Sequence, residues 1–326
     1  MSAEAYAPAM ERTQDVVVKR KVKQRRDWAK WGLGFYFVLF LIFLYAPMIL
    51  MAILSFQGYY GGVTFPFKGP VSLDWWRSIW DSQVGNQFTN ADEIKSSAEG
   101  SLWLSLAAGA VVAFFAFTLS MAFRRRFRAD GLAFYVVILA MLAPGFLLGL
   151  GTQLFWKYMG LNTSLWHTAL GTNSVWGIPF GFLVMLAIWN RYDVHIDEAA
   201  RDLGAGAVRT FAEVTLPLIW TGIFGALLFG FTLTWNDYDR TVLNVVGDPT
   251  LPLRIVGLIQ ESALRPDLYA LGTATTAVSL ALVAVLLIVV LIRSRVRRAP
   301  VQRVEEELGL GGGIDAEAAE QVVEGQ

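Results

Sequence analysis

Long apolar stretches without a single charge alternate along this chain with shorter polar connectors. Trp31 to Phe67 carries no Asp, Glu, Lys or Arg, and its first part, to about Phe56, is the most apolar. Gly100 to Phe123, Gly131 to Trp156, Val214 to Asn236 and Leu268 to Ile292 are also free of charge. Tyr158 to Asn190 is uncharged too, but its first half is polar (Asn162, Thr163, Ser164, His167, Thr172, Asn173, Ser174), which places a span in the second half, about 168–190. A hydrocarbon core of about 30 Å takes about 20 helical residues to cross. Each charge at the centre of such a helix costs roughly 2.5–3.5 kcal/mol on an insertion scale. The six clean windows therefore predict an all-α integral membrane protein with six transmembrane helices.

Composition agrees. Of 326 residues, 55% are hydrophobic and 17% charged, whereas soluble domains carry about 25% charge. Lys and Arg number 27, as do Asp and Glu, so net charge predicts no nucleic-acid partner. Cysteine is absent and only His167 and His195 offer imidazole, which leaves little for a metal site and no thiol nucleophile. The distribution of Lys and Arg is more telling. Twenty lie in the N-terminal segment, in the loops after spans 2 and 4 and in the C-terminal segment, against seven on the other side. The positive-inside rule then predicts both termini in the cytoplasm, as an even span count requires.

The first apolar run is about 25 residues, longer than a signal-peptide core, and no small-x-small cleavage site follows promptly. The predicted organisation is a basic cytoplasmic N-terminal segment (1–30), a first transmembrane helix (31–56), an extracytoplasmic loop (57–99), a core domain (100–292) and an acidic cytoplasmic tail (293–326).

No ionisable Asp, Glu, Lys or Arg falls inside the six windows, which argues against a proton relay or voltage sensor. Pro47, Pro144 and Pro179 predict kinks or close helix packing. The sharper reading is a helix broken around a solute path. The tryptophans of the first outer loop, Trp75, Trp76 and Trp80, suit a membrane interface. Trp235, Asp237 and Asp239, at the outer end of span 5, form a candidate substrate path: two carboxylates beside an aromatic ring attract a cationic solute.

The segment between spans 4 and 5 (191–217) carries the function. Ile196, Ala199, Ala200, Leu203 and Ala207 follow the spacing of one helical face. Asp193 can cap that helix, Asp193, Asp197 and Glu198 favour its positive end, and Asp197 with Arg201 makes an i, i+4 pair. Gly204 and Gly206 permit a sharp turn. Val208, Phe211 and Ala212 start a second stripe, and Pro217 fits the first turn of span 5. The prediction is a helix, a glycine turn and another helix, held parallel to the membrane on the cytoplasmic side. The narrow, alanine-rich face suits insertion into a partner's groove.

The pattern Glu198-Ala199-Ala200, three residues, Gly204, nine residues, then Val214-x-Leu216-Pro217 resembles the EAA motif of the membrane subunits of binding-protein-dependent ABC importers. Val214 stands where that family has Ile. The resemblance runs from about Ser101 to about Ile292 and includes Ser101-Leu102, Arg124 to Arg128, Pro144 and Pro179-Phe180. Trp235–Asp239, Gly247-Asp-Pro-Thr-Leu-Pro252 and Leu271-Gly-Thr-Ala look like the spermidine/putrescine-type branch, while the 57–99 loop and both tails lie outside the pattern.

This resemblance implies the type I, MetI-like permease architecture in a bacterial inner membrane, with no catalytic role for the chain itself. Its partners would be two ABC ATPase subunits, which bind ATP and Mg, a second permease subunit (related or identical), and an extracytoplasmic solute-binding protein. Glu198, Ala199, Ala200, Asp202, Leu203 and Gly204 would dock the ATPase, and a polyamine or similar small organic cation would be the solute. The sequence agrees independently on one point: it contains no G-x-x-x-x-G-K-[ST] phosphate loop. A secondary carrier or channel with six spans would instead transport without nucleotide, and would need a membrane-embedded charge. A membrane-bound enzyme would need a nucleophile and base at workable spacing, and none stands out.

Overall fold

The computed structural model describes residues 28–58, 70–81, 91–124, 127–246, 249–261 and 266–307. The basic residues before Trp28, Arg125 and Arg126, Gly247-Asp248, most of the 57–99 loop outside its helical parts and the chain beyond Glu307 lie outside these. Regular structure among the described residues is helical, apart from an isolated antiparallel bridge between Gln57 and Val71.

Helix α1 (Trp28–Leu54) is apolar all round, and from Trp28 to Leu50 it exposes nearly every side chain. It needs lipid or a partner for that surface. It stays helical through Pro47. The remaining chain from Met51 forms a compact unit of its own. It contains α2 (Asp74–Trp80), α3 (Ala91–Phe123), α4 (Asp130–Met141), α5 (Gly145–Tyr158), α6 (Leu165–Trp189), α7 (His195–Asp202), α8 (Ala207–Trp235), α9 (Thr241–Asn244), α10 (Leu251–Glu261) and α11 (Pro266–Glu307).

Helices α3, α6 and α8 make the core, and small residues let their backbones approach. A Cβ on Gly109 of α3 would lie 2.7 Å from the Leu227 carbonyl oxygen of α8. Val112 of α3 fills the space left by Gly177 and Gly181 of α6 and Gly230 of α8. Gly222 of α8 makes room for Met185 and Ile188 of α6. Lipid gives no hydrophobic drive between helices, so this close van der Waals contact is what holds them together. One end of the core is closed by an apolar cluster in which Ile79, Ile94, Phe231, Trp235, Leu251, Leu258 and Leu271 meet. Trp75 and Trp76 pack half-buried against it, while Trp80 is exposed.

The expected third span is not one helix. It breaks at Leu142–Pro144, and α4 and α5 meet at 102°. Their 12 and 14 residues reach about 18 and 21 Å, each short of a bilayer core. Pro144 adopts an extended conformation (ψ 128°) and starts α5, because it cannot continue an α-helical ladder from behind. Pro179, by contrast, sits inside a continuous α6. Five described helices are long and apolar enough to cross a membrane, and the sixth expected span exists only if α4 and α5 count as one broken crossing.

Other boundaries move as well. Helix α3 begins at Ala91, inside the segment read as outer loop, and α11 runs to Glu307, past the expected end of span 6. Helix α8 begins at Ala207, so the second elbow helix and span 5 are one element. Pro217 stands in the first turn of the α-helical part of that element (Leu216–Trp235), as expected. The turn just before it, Phe211–Thr215, is π-helical. That wider turn gives the proline ring the room an α-helical turn would deny.

Candidate functional site

The 191–215 elbow forms as the sequence pattern predicts. The Asp193 carboxylate accepts the backbone N–H of His195 at 3.0 Å and so opens α7. At the other end, Gly204 takes φ +88°. Its N–H donates to the Arg201 carbonyl at 2.8 Å, and the Ala205 N–H donates to the Ala200 carbonyl at 3.1 Å. This pair of bonds is the Schellman stop, which requires the left-handed conformation that glycine adopts without strain. Gly206 then turns the chain into α8 with extended backbone (ψ 162°).

The elbow turns its apolar stripe outward. Ile196, Ala199, Leu203 and Ala207 are exposed and Ala200 is half-buried; Leu203 reaches 90% exposure. Glu198, Asp202 and Gly204 share the exposed surface. The structure thus brings all six expected docking residues onto one short helix and its C-terminal turn. Glu198 accepts a contact from His195 Nδ1 at 3.0 Å. That hydrogen bond, followed by the charges of Asp193 and Glu198, holds the His195 imidazole above its usual range.

The inward side of α7 differs from the expectation. Asp197 does not pair with Arg201; it is buried at 4% exposure and points into the protein. Its carboxylate accepts from the Arg124 guanidinium, from the Tyr192 hydroxyl and, at 2.9 Å, from the Thr215 hydroxyl. Arg124 lies beyond the end of α3, and its guanidinium sits 5.1 Å from the ring centres of both Trp189 and Tyr192. The Trp189 indole N–H donates to Ser120 of α3 at 3.0 Å. A surface i, i+4 pair contributes only about 0.2–0.5 kcal/mol, so three tertiary donors readily outcompete it. Burial pushes the Asp197 carboxyl up, but hydrogen bonds from Arg124, Tyr192 and Thr215 outweigh this and leave it below the usual carboxylate range. Burial, then the bond to Asp197, raises the Tyr192 phenol. Arg209 and Glu213, by contrast, form an exposed i, i+4 pair at 2.9 Å.

Trp235, Asp237 and Asp239 do not gather on one surface. Trp235 is buried and stacked on Phe231, with ring centres 5.9 Å apart. Asp237 is buried and paired with Arg240, and it accepts the Thr241 N–H at 2.9 Å and the Thr241 hydroxyl at 2.7 Å. Asp239 alone is exposed. Arg240 folds back under the α4–α5 break. Its guanidinium lies 4.7 Å from the Trp176 ring centre, and its backbone is 3.0 Å from where a Cβ on Gly149 would stand. Asn244 donates to the Gly149 carbonyl at 3.0 Å, and Asn173 donates to the Thr241 hydroxyl at 3.0 Å. Among the described residues, no three His, Asp or Glu side chains converge on a metal position.

The sequence pattern gives no sign of Asp197 as an inward anchor, nor of the parts that Arg124, Tyr192, Thr215 and Arg240 play. Arg124 stands out in the sequence as one basic residue among those that set orientation and as part of the Arg124 to Arg128 run. Asp197 stands between Ile196 and Glu198, and that local setting gives no sign of which way it faces.

Comparison with known proteins adds the following. Residues 115–305 match the model of a family described as "Binding-protein-dependent transport system inner membrane component". The chain is 26% identical over 260 residues to the spermidine/putrescine transport system permease protein PotC of Haemophilus influenzae, covering 77% of this chain and 92% of that protein. It is 25% identical over 241 residues to the putrescine transport system permease protein PotI of Escherichia coli K12, covering 71% and 80% respectively. The fold is similar to a chain in the crystal structure of a bacterial ABC transporter that imports the acidic polysaccharide alginate, with a TM-score of 0.56, 13% identity, and coverage of 82% of this chain and 97% of that one.

Proposed function

The chain belongs to the binding-protein-dependent transport system inner membrane components, and from that premise we propose how this ABC importer permease is driven and what it carries. The elbow of α7 and the start of α8 lies on the cytoplasmic side, as do both termini. Each elbow enters a groove on one of two ATPase subunits, which bind ATP and Mg. Glu198, Ala199, Ala200, Asp202, Leu203 and Gly204 make that contact. A second permease subunit completes the path, and an extracytoplasmic binding protein delivers the solute.

The observation that carries this reading is the direction of α7. A soluble helix buries its apolar stripe. Here the stripe of Ile196, Ala199, Leu203 and Ala207 faces out while the acid Asp197 faces in. An outward apolar face in which alanines alternate with Ile196 and Leu203, ended by a glycine with open space around it, suits a partner's groove. It suits lipid headgroups poorly, since basic residues favour that role and α7 is acidic on balance. Closure of the two ATPases moves the docked elbows and switches the path between inward-facing and outward-facing states, one equilibrium biased from the cytoplasm.

The solute is proposed to be a polyamine or similar small organic cation. This rests on the names of the two permease relatives, spermidine/putrescine and putrescine transport, and on the exposed Asp239 beside Gly145, where the broken helix opens. Co-purification tests the docking. A tagged chain should bring down the ATPase subunits, and Glu198→Lys should lose them while still reaching the membrane; retention by that variant refutes the contact. Direct binding of putrescine and spermidine to the importer's extracytoplasmic receptor tests the solute.

A further inference from the structure

We propose that Asp197 is a positioning residue that transmits movement from the docked elbow into the three-helix core. This rests on the docking reading above. One carboxylate joins four parts of the chain. Asp197 belongs to α7, Arg124 follows the end of α3, Tyr192 follows α6 and Thr215 lies in the π-turn of α8. These three long helices are the ones packed through Gly109, Gly177, Gly181 and Gly230. The elbow is thus tied to all three at the end that faces the proposed ATPase.

The tie is stiff. Arg124 lies against the Trp189 and Tyr192 rings, and Trp189 is held in turn by Ser120. The carboxylate is nearly enclosed and has donors from three directions, so it cannot slip without leaving buried donors unpaired. Along α7 itself, the outward residues are left free for a partner. One face of a two-turn helix receives force and the opposite face passes it on. Without the carboxylate, the elbow remains attached only through the 190–194 and 203–206 connections, and core and elbow can move separately.

The test uses the complete importer, this chain with its ATPase subunits and permease partner. The chain has no cysteine, so single reporters can be placed freely. Arg201→Cys, exposed on α7, reports the elbow, and Phe229→Cys, exposed on α8, reports the core. ATP with vanadate should shift the spin-label spectrum at both sites in the otherwise native complex. In Asp197→Asn, the Arg201 reporter should still respond and the ATPases should still co-purify. The nucleotide-driven change in core-state ratio at Phe229 should fall at least about fivefold, the lower end of ordinary coupling between sites. Arg124→Gln should do the same, and the double variant should be no worse than either single one. Tyr192→Phe, which removes one donor and leaves the ion pair, should give a graded loss even if the stronger variants fold poorly. A native Phe229 response in both Asp197→Asn and Tyr192→Phe overturns the proposal. So does loss of the ATPases in those variants, which would make Asp197 part of docking. Failure of docking itself is a separate outcome: the Arg201 reporter would then stay silent in the native complex.

Discussion

Gly204 offers the cleanest separation of fold from docking. Its φ of +88° is open to glycine but strained for other residues, at about 1–2 kcal/mol for an ordinary side chain. A Cβ built there meets nothing within 4 Å in the chain, so no steric term adds to that strain. A domain stable by about 5–15 kcal/mol tolerates such a cost. Gly160 is a built-in control, with φ +76° and equally open space. Asn, which enters the left-handed region more readily than most residues, keeps the backbone cost low while adding bulk. Gly204→Asn and Gly160→Asn should therefore reach the membrane equally well and show similar thermal stability. Only Gly204→Asn should lose ATPase subunits on co-purification, by more than about tenfold, or 1.4 kcal/mol of binding. Gly204→Trp should abolish solute uptake with insertion intact. If Gly204→Asn retains the ATPases at native stoichiometry, the space beside Gly204 is plain solvent and the proposed contact is wrong.

Three further outcomes follow from the structure. Gly109→Val forces α3 away from the Leu227 carbonyl and should cost roughly 1–3 kcal/mol, seen as a lower unfolding temperature in detergent, whereas Gly131→Val, in open space, should change it little. Arg240→Met leaves Asp237 buried without its cation and should destabilise by about 3–5 kcal/mol, while adding Asp237→Asn should recover much of that loss; additive losses would refute the pairing. Asp197 is held below the usual carboxylate range, so the stability it contributes is complete above its ordinary pKa and disappears only as pH falls through the lowered value. The stability gap between the native chain and Asp197→Asn should then be flat across neutral pH and close only in strong acid. A gap already closing as pH falls toward about 6 would show that the carboxylate is not ion-paired.

Much of the fold was legible in the chain because the membrane sorts residues by a local property. A window free of charge and long enough to cross is visible without knowing its neighbours, and Lys30–Leu54, Leu165–Trp189 and Ala207–Trp235 lie close to such windows. The elbow was legible for a related reason. Its helix, its glycine stop and its small-residue stripe are set by spacings within about fifteen residues, and Gly204 takes the left-handed conformation its position suggests. The break at Pro144 was only half legible. Proline removes a donor wherever it occurs, yet α6 runs straight through Pro179 while α4 stops before Pro144; packing decides between them.

The sequence by itself therefore determined five of the segments long and apolar enough to cross a membrane, where the elbow lies along the chain, and that the chain lacks a phosphate loop of its own. Tertiary structure alone decided where the buried charges point. Asp197 chose Arg124, 73 residues away, over Arg201 one turn along, and Asp237 turned to Arg240 rather than standing open beside Trp235. The physical reason is desolvation. A charge removed from water must find several donors at once, and which donors converge at a point is a property of how helices distant in the chain come to pack.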